Sequence, residues 1–363
     1  MLYRLLISLL FILAISRAGL VVAEEEYWEY TFRPGDSIWN VAEKYTTTVD
    51  NWLEIRELNK IHEGPDRRIP PGTRIVIPVS MLKLQPVPAV VIAVRGTVTV
   101  ERAKGDRMQA RTGIELFSGD RVITADEQSL RMQFADRSEL QVLPNSIVVL
   151  DKLSHHEQTG MVDTRVRLNN GRVNTWVEKL KPDSRYEIRT PAATTAVRGT
   201  AYRLTSEDSQ ISRAEVTTGL VGVAAGNTER DVKEGYGIVA EKDKPLPEPV
   251  KLLPSPEISD NLSADKSRLQ VQWKPLDGAA FYRYQLATDK SFDQVIVDSS
   301  TKDNQIELKD LAPARYFLRV RGVDQYQLEG LDAIRDYEIV EPPAEEDRSW
   351  IVILSIGIML LVM

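Results

Sequence analysis

The chain has no cysteine. This excludes disulfides, thiol nucleophiles and thiolate metal sites, along with a lipid-modified N-terminal cysteine, so stability must come from packed cores alone. Histidine is almost as scarce, with only His62, His155 and His156. His155 and His156 are adjacent, so on a strand or a helix they point in different directions and do not form a metal site together. No H-E-x-x-H, G-x-S-x-G or phosphate-binding glycine loop occurs. Excess positive charge is also missing. The net charge is −7 over 363 residues, against the basic face that a general nucleic-acid binder needs. No cofactor is expected and no catalytic residue stands out. The 53 acidic residues make a carboxylate pair easy to find by chance, but no segment has an enzyme-like βα pattern, and the chain reads as non-enzymatic.

Apolar content is ordinary at 42%, with 27% charged residues, so the chain is expected to fold into two or three domains. Residues 1–23 carry one early positive charge, Arg4, then the apolar run Leu5–Ile15, then small residues ending at Ala23 before Glu24-Glu25-Glu26. That is the layout of a signal peptide, cleaved after Ala23, and it implies export to the periplasm or cell envelope.

Residues 29–80 read as strand, helix, helix, strand. Tyr30–Phe32 is a strand, and Pro34-Gly35-Asp36-Ser37 is a turn feeding a helix, with Asp36 or Ser37 as its N-cap. Ile38, Val41, Ala42 and Tyr45 fall at i, i+3, i+4, i+7 and form one apolar face. Asp50 can cap a second helix, to which Trp52, Leu53, Ile55 and Leu58 supply apolar contacts; Arg74–Ile77 is the closing strand, stopped by Pro78.

The stretches YTFRPGDSIWNVAEKY, Leu58-Asn59 and IPPGTRIVIP closely resemble a LysM domain. The interval from Tyr45 to Asn59 is about one turn longer than in a minimal LysM, and a longer second helix would absorb it. The resemblance implies binding of N-acetylglucosamine-containing glycans, usually peptidoglycan. It places the sugar in a shallow groove between the loop Gly35, Asp36, Ser37, Ile38 and the loop Asn59, Lys60, Ile61. N-acetyl groups there would use backbone donors and acceptors from tight turns over a small apolar floor.

Residues 88–241 read as short β-strands. Leu130, Met132 and Phe134 alternate, then Leu140 and Val142 after the turn Asp136-Arg137-Ser138, which is a hairpin signature. An apolar residue, polar residues, a glycine and a strand recur at Val94–Val100, Leu168–Val173, Val197–Leu204, Val216–Val223 and Val232–Val239. A β-solenoid or a sandwich of tightly cornered strands would produce this. The central stretch Tyr186–Leu204 reads as a strand at Tyr186 and Ile188, a break at Pro191, a run of small residues, and a second strand over Ala201–Leu204. TPAATTAVRGTAYRL, preceded by FADRSELQVLPNS and by Gly171-Arg172-Val173, resembles the FecR domain. That implies a non-enzymatic, all-β, extracytoplasmic module of a kind that takes part in transmembrane signalling to a sigma factor. Arg165, Arg167, Arg189, Arg198 and Arg203 form either a partner-docking face or an ordinary solvated sheet face.

Residues 242–256 contain Pro245, Pro247, Pro249, Pro254 and Pro256 and read as a stiff linker. In residues 257–341, Leu269, Val271 and Trp273 alternate, as do Tyr282, Tyr284 and Leu286, and Tyr316, Leu318 and Val320, so a β-sandwich is expected. LQVQWKPLDGAAFYRYQLATD and LAPARYFLRVRGVD resemble a fibronectin type III domain, which implies a spacer or contact module. Residues 349–363 are almost wholly apolar. From Trp350 they span about 21 Å as a helix against a hydrocarbon core of about 30 Å. They read as a short membrane anchor, part of a longer helix, or a partner-docking segment; the membrane reading is preferred.

The expected whole is a multidomain, mainly β envelope protein. It holds peptidoglycan through the LysM-like unit and presents the FecR-like and fibronectin-like surfaces to an unidentified envelope protein. The alternatives are a signalling component acting through a separate membrane partner, or a targeting subunit for a wall hydrolase.

Overall fold

The computed structural model describes residues 27–65, 67–83, 85–156, 160–180, 184–197, 199–259, 263–265 and 267–339. The expected signal peptide and C-terminal membrane segment lie outside the described residues. Among the described residues no helix is long and apolar enough to cross a membrane. The chain divides into two compact units, one ending at Lys83 and one starting at Leu84.

The first unit is a βααβ fold. Strand β1 (Tyr27–Thr31) pairs antiparallel with β2 (Arg74–Pro78), and helices α1 (Ile38–Tyr45) and α2 (Trp52–Leu58) lie between them in the chain. The apolar face expected on α1 is fully buried: Ile38, Val41, Ala42 and Tyr45. Ser37 is the N-cap. Its hydroxyl accepts from the Asn40 amide at 3.3 Å, and Asn40 Oδ1 accepts from the Ser37 amide at 2.9 Å. Trp28, Tyr30, Phe32 and Tyr45 form a chain of aromatic contacts, with neighbouring ring centroids 5.1–5.6 Å apart.

Two expectations for α2 are corrected. Asp50 does not cap it; Thr48 caps a separate 3-10 turn, Val49–Asn51, by accepting from the Asp50 amide. That turn, ahead of a helix of only 7 residues, takes up the extra chain length, so no longer second helix is needed. Of the apolar contacts expected from α2, Ile55 is buried, whereas Leu53 and Leu58 are exposed. The unit continues past residue 80: Thr47 donates to Met81 O and Lys83 to Tyr45 O, with Leu82 buried.

The second unit begins with an all-β region around one large apolar core. Its pairings close on themselves as a barrel, within which two sheets can be followed. Sheet I runs, by neighbouring strands, Arg107–Gln109, Thr99–Glu101, Arg121–Ile123, Ile147–His156, Met161–Val177, Arg185–Arg189, Thr194–Val197, Leu220–Ala225 and Thr228–Lys233. Sheet II runs Ala89–Arg95, Ser129–Gln133, Glu139–Val142, Met161–Val177, Thr200–Glu207, Ile211–Thr218, Tyr236–Glu241 and Val250–Lys251. The pairing of Met161–Val177 with Arg185–Arg189 is parallel; the others in both sheets are antiparallel among the described residues. A β-solenoid would stack parallel strands, so of the two expected architectures the antiparallel one is adopted.

One strand, Met161–Val177, belongs to both sheets, in sheet I up to Asn170 and in sheet II from Gly171. Gly171 is the corner. Its φ is +97°, and a Cβ there would lie 2.5 Å from Ser146 Cα. Both the backbone conformation and the contact therefore require glycine. The expected hairpin is present: Ser129–Gln133 pairs with Glu139–Val142, and Asp136 accepts from the Ser138 amide and hydroxyl across the turn.

The expected break at Pro191 is present as a bend, and the run of small residues after it, for which no strand was expected, forms one. Thr194–Val197 pairs with Arg185–Arg189. It is held by the buried Thr195, whose hydroxyl donates to Ile188 O at 3.0 Å and shares a hydrogen bond with the Tyr202 hydroxyl. Tyr186 pairs in the same way with Thr175 at 2.7 Å. Each buried phenol has a local hydroxyl partner, which removes the penalty of burying it bare.

The proline-rich segment 242–256 connects to the last region without being solvated along its length. Leu246 and Leu252 are buried, Val250–Lys251 extends sheet II, and Leu253 O accepts from Leu331. Residues 263–339 hold seven strands. Ser263–Asp265, Arg268–Gln272 and Gln305–Leu308 form a three-stranded sheet; Val295–Thr301, Phe281–Ala287, Ala314–Val323 and Ala333–Ile339 form a four-stranded one. The core they share contains Leu269, Val271, Trp273, Tyr282, Leu286 and Leu318, with Trp273 edge-on to Tyr282 at 5.2 Å. The Tyr316 hydroxyl donates to Ala312 O at the start of its strand.

Candidate functional site

The residues expected to form the glycan groove differ in what they are free to do. Gly35 is exposed in the turn, with φ +93°. Asp36 accepts from the Tyr30 hydroxyl at 2.5 Å and from the Arg33 amide at 2.8 Å, so it ties the turn to the aromatic core. Burial, reinforced by this hydrogen bond, pushes the Tyr30 hydroxyl above its ordinary range and keeps it a donor. Ser37 is spent on the cap, and the Ile38 side chain is fully buried in the core. An apolar floor made by Ile38 is therefore not available at the surface.

On the other side, Asn59 holds the fold. Its amide nitrogen donates to Ile55 O and Val76 O at 2.8 and 2.7 Å, and its carbonyl accepts from the Val76 amide at 2.7 Å. It seals the end of α2 and clamps it to β2. Lys60 is exposed at φ +52°, and Ile61 is half-buried. Of the seven expected residues, Gly35 and Lys60 are thus exposed and Ile61 partly so, whereas Asp36, Ser37, Ile38 and Asn59 are engaged in the turn, the cap, the core and the clamp. The backbone of Asp36–Trp39 is tied to the loop residues Pro65 and Ile69: Trp39 N–H donates to Pro65 O, and Ile69 N–H donates to Asp36 O. That loop occupies backbone groups that a sugar amide would otherwise compete for, a feature invisible in the spacing of the motif.

The arginines considered as a docking face fall on two different surfaces. On sheet I, Arg165 forks onto Asp163 at 2.8 and 2.9 Å, Arg167 pairs with Asp151, and Arg189 with Glu187. This surface is charge-balanced rather than basic. Arg198 lies outside the described residues. Arg203, on sheet II, is buried, and its hydrogen-bond partners belong to the C-terminal region of the same chain.

That second surface is a polar seam between sheet II and the four-stranded sheet. Arg203 donates to Glu329 O and to Gly330 O at 2.7 Å. Glu329 also holds Arg321 at 2.5 Å, Arg283 at 3.2 Å and Arg172 at 3.3 Å. Arg213 donates to Tyr326 O, Arg131 to Ser291 O, and the buried Gln141 to Phe292 O. Burial opposes ionisation of Glu329, but Arg321, Arg283 and Arg203 prevail and hold it down at about 2. Glu215 has the opposite balance: burial, only partly countered by Arg203, pushes it up to about 7. Removing one member of so buried a network costs about 3–5 kcal/mol, because the others are left unpaired in low dielectric. Sequence pattern did not separate Arg203 from Arg165 and Arg167. All three alternate with apolar residues, and alternation does not say what covers the outer face.

A LysM domain model matches residues 30–78, and a FecR protein model matches residues 120–222. Both are non-catalytic kinds of domain, and no cluster able to hold a metal ion is found among the described residues. No curated protein matches the chain. Among solved structures, an anti-sigma factor candidate from Parabacteroides distasonis is similar at 13% identity and TM-score 0.31, over 36% of this chain and 58% of that one. The extracellular domain of a one-component system candidate from B. thetaiotaomicron follows at 12% identity and TM-score 0.18, over 62% of this chain and 36% of that one. A beta-1,2-glucanase from Parabacteroides distasonis has 11% identity and TM-score 0.22, over 71% and 37% of the two chains. The chain therefore spans about 58% or less of the length of these structures.

Proposed function

We propose that this is a non-catalytic cell-envelope protein whose LysM unit binds N-acetylglucosamine-containing peptidoglycan, with Gly35, Lys60 and Ile61 on the contacting surface. The carrying observation is the LysM match over residues 30–78 on a βααβ unit whose buried residues include none of those three. The glycan meets exposed turns held in shape by Asp36, Ser37 and Asn59. Affinity through one shallow module is modest, and a polymeric wall raises it by presenting many sites at high local concentration.

The FecR-like region supports an envelope signalling role as a second reading, favoured by the match over residues 120–222. A protein partner then engages the outer face of sheet I or the strand edges, since sheet II is covered by the chain itself. The region after the linker serves as a clamp on sheet II. Its buried Trp273 and the Tyr316 hydroxyl bonded to the backbone support the fibronectin type III reading.

The test is sedimentation of the whole chain with insoluble peptidoglycan, beside a Lys60→Glu, Ile61→Asp variant with unchanged circular dichroism. Loss of sedimentation in the variant supports the groove. Equal sedimentation moves the glycan site elsewhere, and no sedimentation by either removes the wall-binding reading.

A further inference from the structure

At one end of the polar seam the two sheets part to leave a crevice of about 480 Å³, within the range that holds a small molecule. Its floor is cationic. Arg131, Arg203, Arg319 and the exposed Lys290 line it against a single lining carboxylate, Asp332. Arg131 is answered by Asp293 at 2.8 Å and Glu139 at 3.2 Å, whereas Arg203, with Asp332 at 3.3 Å, and Arg319 are less completely answered from within. Arg203 is buried, yet its Nε has no hydrogen-bond partner, and the nearest Glu215 oxygen is 3.7 Å away. Arg319 donates twice to Gln285 Oε1, a neutral acceptor, while its Asp332 contact is long at 3.7 Å. Burial, and after it the neighbouring Arg321, depress the Arg319 guanidinium to about 9.

The walls have a different character. Trp176 and Ile334 are exposed at the rim, at 37% and 50%, and Phe292 lies beneath. Arg131 stacks on Trp176 at 4.6 Å, and Arg319 on Phe292 at 4.1 Å. Stacking fixes both guanidinium planes, and a fixed fork suits a carboxylate better than a mobile ammonium does. An exposed indole and an isoleucine beside buried cations make a surface with one charged and one apolar half.

We propose that this crevice binds an organic carboxylate with an apolar group next to the charge, in the form of a peptide end whose last side chain is apolar. The carboxylate enters toward Arg203 and Arg319. The side chain lies between Trp176 and Ile334, and Lys290 draws the ligand in from the rim. The site lies wholly within the second unit, so it is independent of glycan binding by the LysM unit.

Titration calorimetry on the whole chain tests this with N-acetyl-Ala-Leu carrying a free carboxylate, the same dipeptide amidated at its C-terminus, and inorganic phosphate. The expected result is one site for the acid, with the amide and phosphate each weaker by about tenfold or more, since both lose half of the recognition. Lys290→Glu sits at the exposed rim and should weaken the acid by a similar factor while leaving the melting temperature unchanged. Trp176→Ala should weaken the acid but leave the weak phosphate binding as it was, which separates the apolar wall from the cationic floor. Equal binding of acid and amide, phosphate binding as tight as the acid, no binding of the acid, or indifference to Lys290→Glu would each overturn the proposal.

Discussion

The barrel core and the seam bury their residues equally well and by opposite chemistry. In the core, Leu130, Met132, Leu140 and Val142 are wholly buried among apolar neighbours. One residue along on the same strands, Arg131 and Gln141 face the other way and are covered by the C-terminal region. A packed apolar side chain is stabilised by leaving water and tolerates any neighbour of the right volume. A buried guanidinium is tolerated only where its particular acceptors stand, so the seam contributes less to net stability and more to a single docking geometry. For this protein that specificity is a hypothesis which the following substitutions test.

The largest effect is expected at the corner that makes both faces possible. Gly171→Val forces a β-branched residue into φ +97° against Ser146 and should cost several kcal/mol, roughly 3 or more, unfolding the β unit. Near-ultraviolet circular dichroism would detect it, and a native spectrum would show that the corner is soft.

Next come two substitutions that set core against seam. Leu140→Ala should lower stability by about 2–5 kcal/mol through a cavity, and Arg321→Ala by about 3–5 kcal/mol because Glu329 and Asp332 both lose their nearest cationic partner in a buried site. Denaturant melts compare them, and high salt should change neither greatly, because buried pairs are poorly screened. A loss below about 1 kcal/mol for Arg321→Ala would reduce the seam to surface ion pairing.

A smaller, pH-dependent difference follows from Glu215. Its folded-state value, raised to about 7, means that the folded protein holds a proton which the unfolded chain has released. The stability it contributes is full below the ordinary glutamate range and is lost as pH rises through about 7. Melting temperatures from about pH 5 to pH 8 should therefore fall in the native chain relative to Glu215→Gln, which carries no titrating group. Parallel curves would sink the assignment.

The LysM unit offers the mildest contrast. Asn59→Ala removes the clamp between α2 and β2 and should cost about 1–3 kcal/mol, seen as earlier hydrogen exchange in that unit alone. Leu53→Ala, at an exposed position, should stay within about 0.5 kcal/mol. If the two were equal, the clamp would carry no weight.

Much of this architecture was legible in the residues. Period 3.6 over Ile38–Tyr45 and period 2 over Leu130–Phe134 both reflect a face turned to an apolar core, and a core leaves its period in the sequence. Thr194–Val197 was not legible as a strand, because small residues carry no period. Its strand state depends on Thr195 meeting Ile188 O and the Tyr202 hydroxyl. Likewise Asp50 had the chemistry of a cap, but Thr48 held the place where one was needed.

By itself the sequence determined the LysM and FecR-like motifs, the inward faces of the strands and helix, and the glycine at the corner, because each is a local rule of spacing or backbone sterics. Only the tertiary structure decided which polar faces stay in water. Arg165 and Arg203 look alike along the chain, yet one is half-buried and pairs with Asp163 on its own strand, and the other is buried under Glu329 and Gly330. The reason is physical: an apolar side chain announces its burial by its own chemistry, whereas a buried charge is defined by partners more than a hundred residues away.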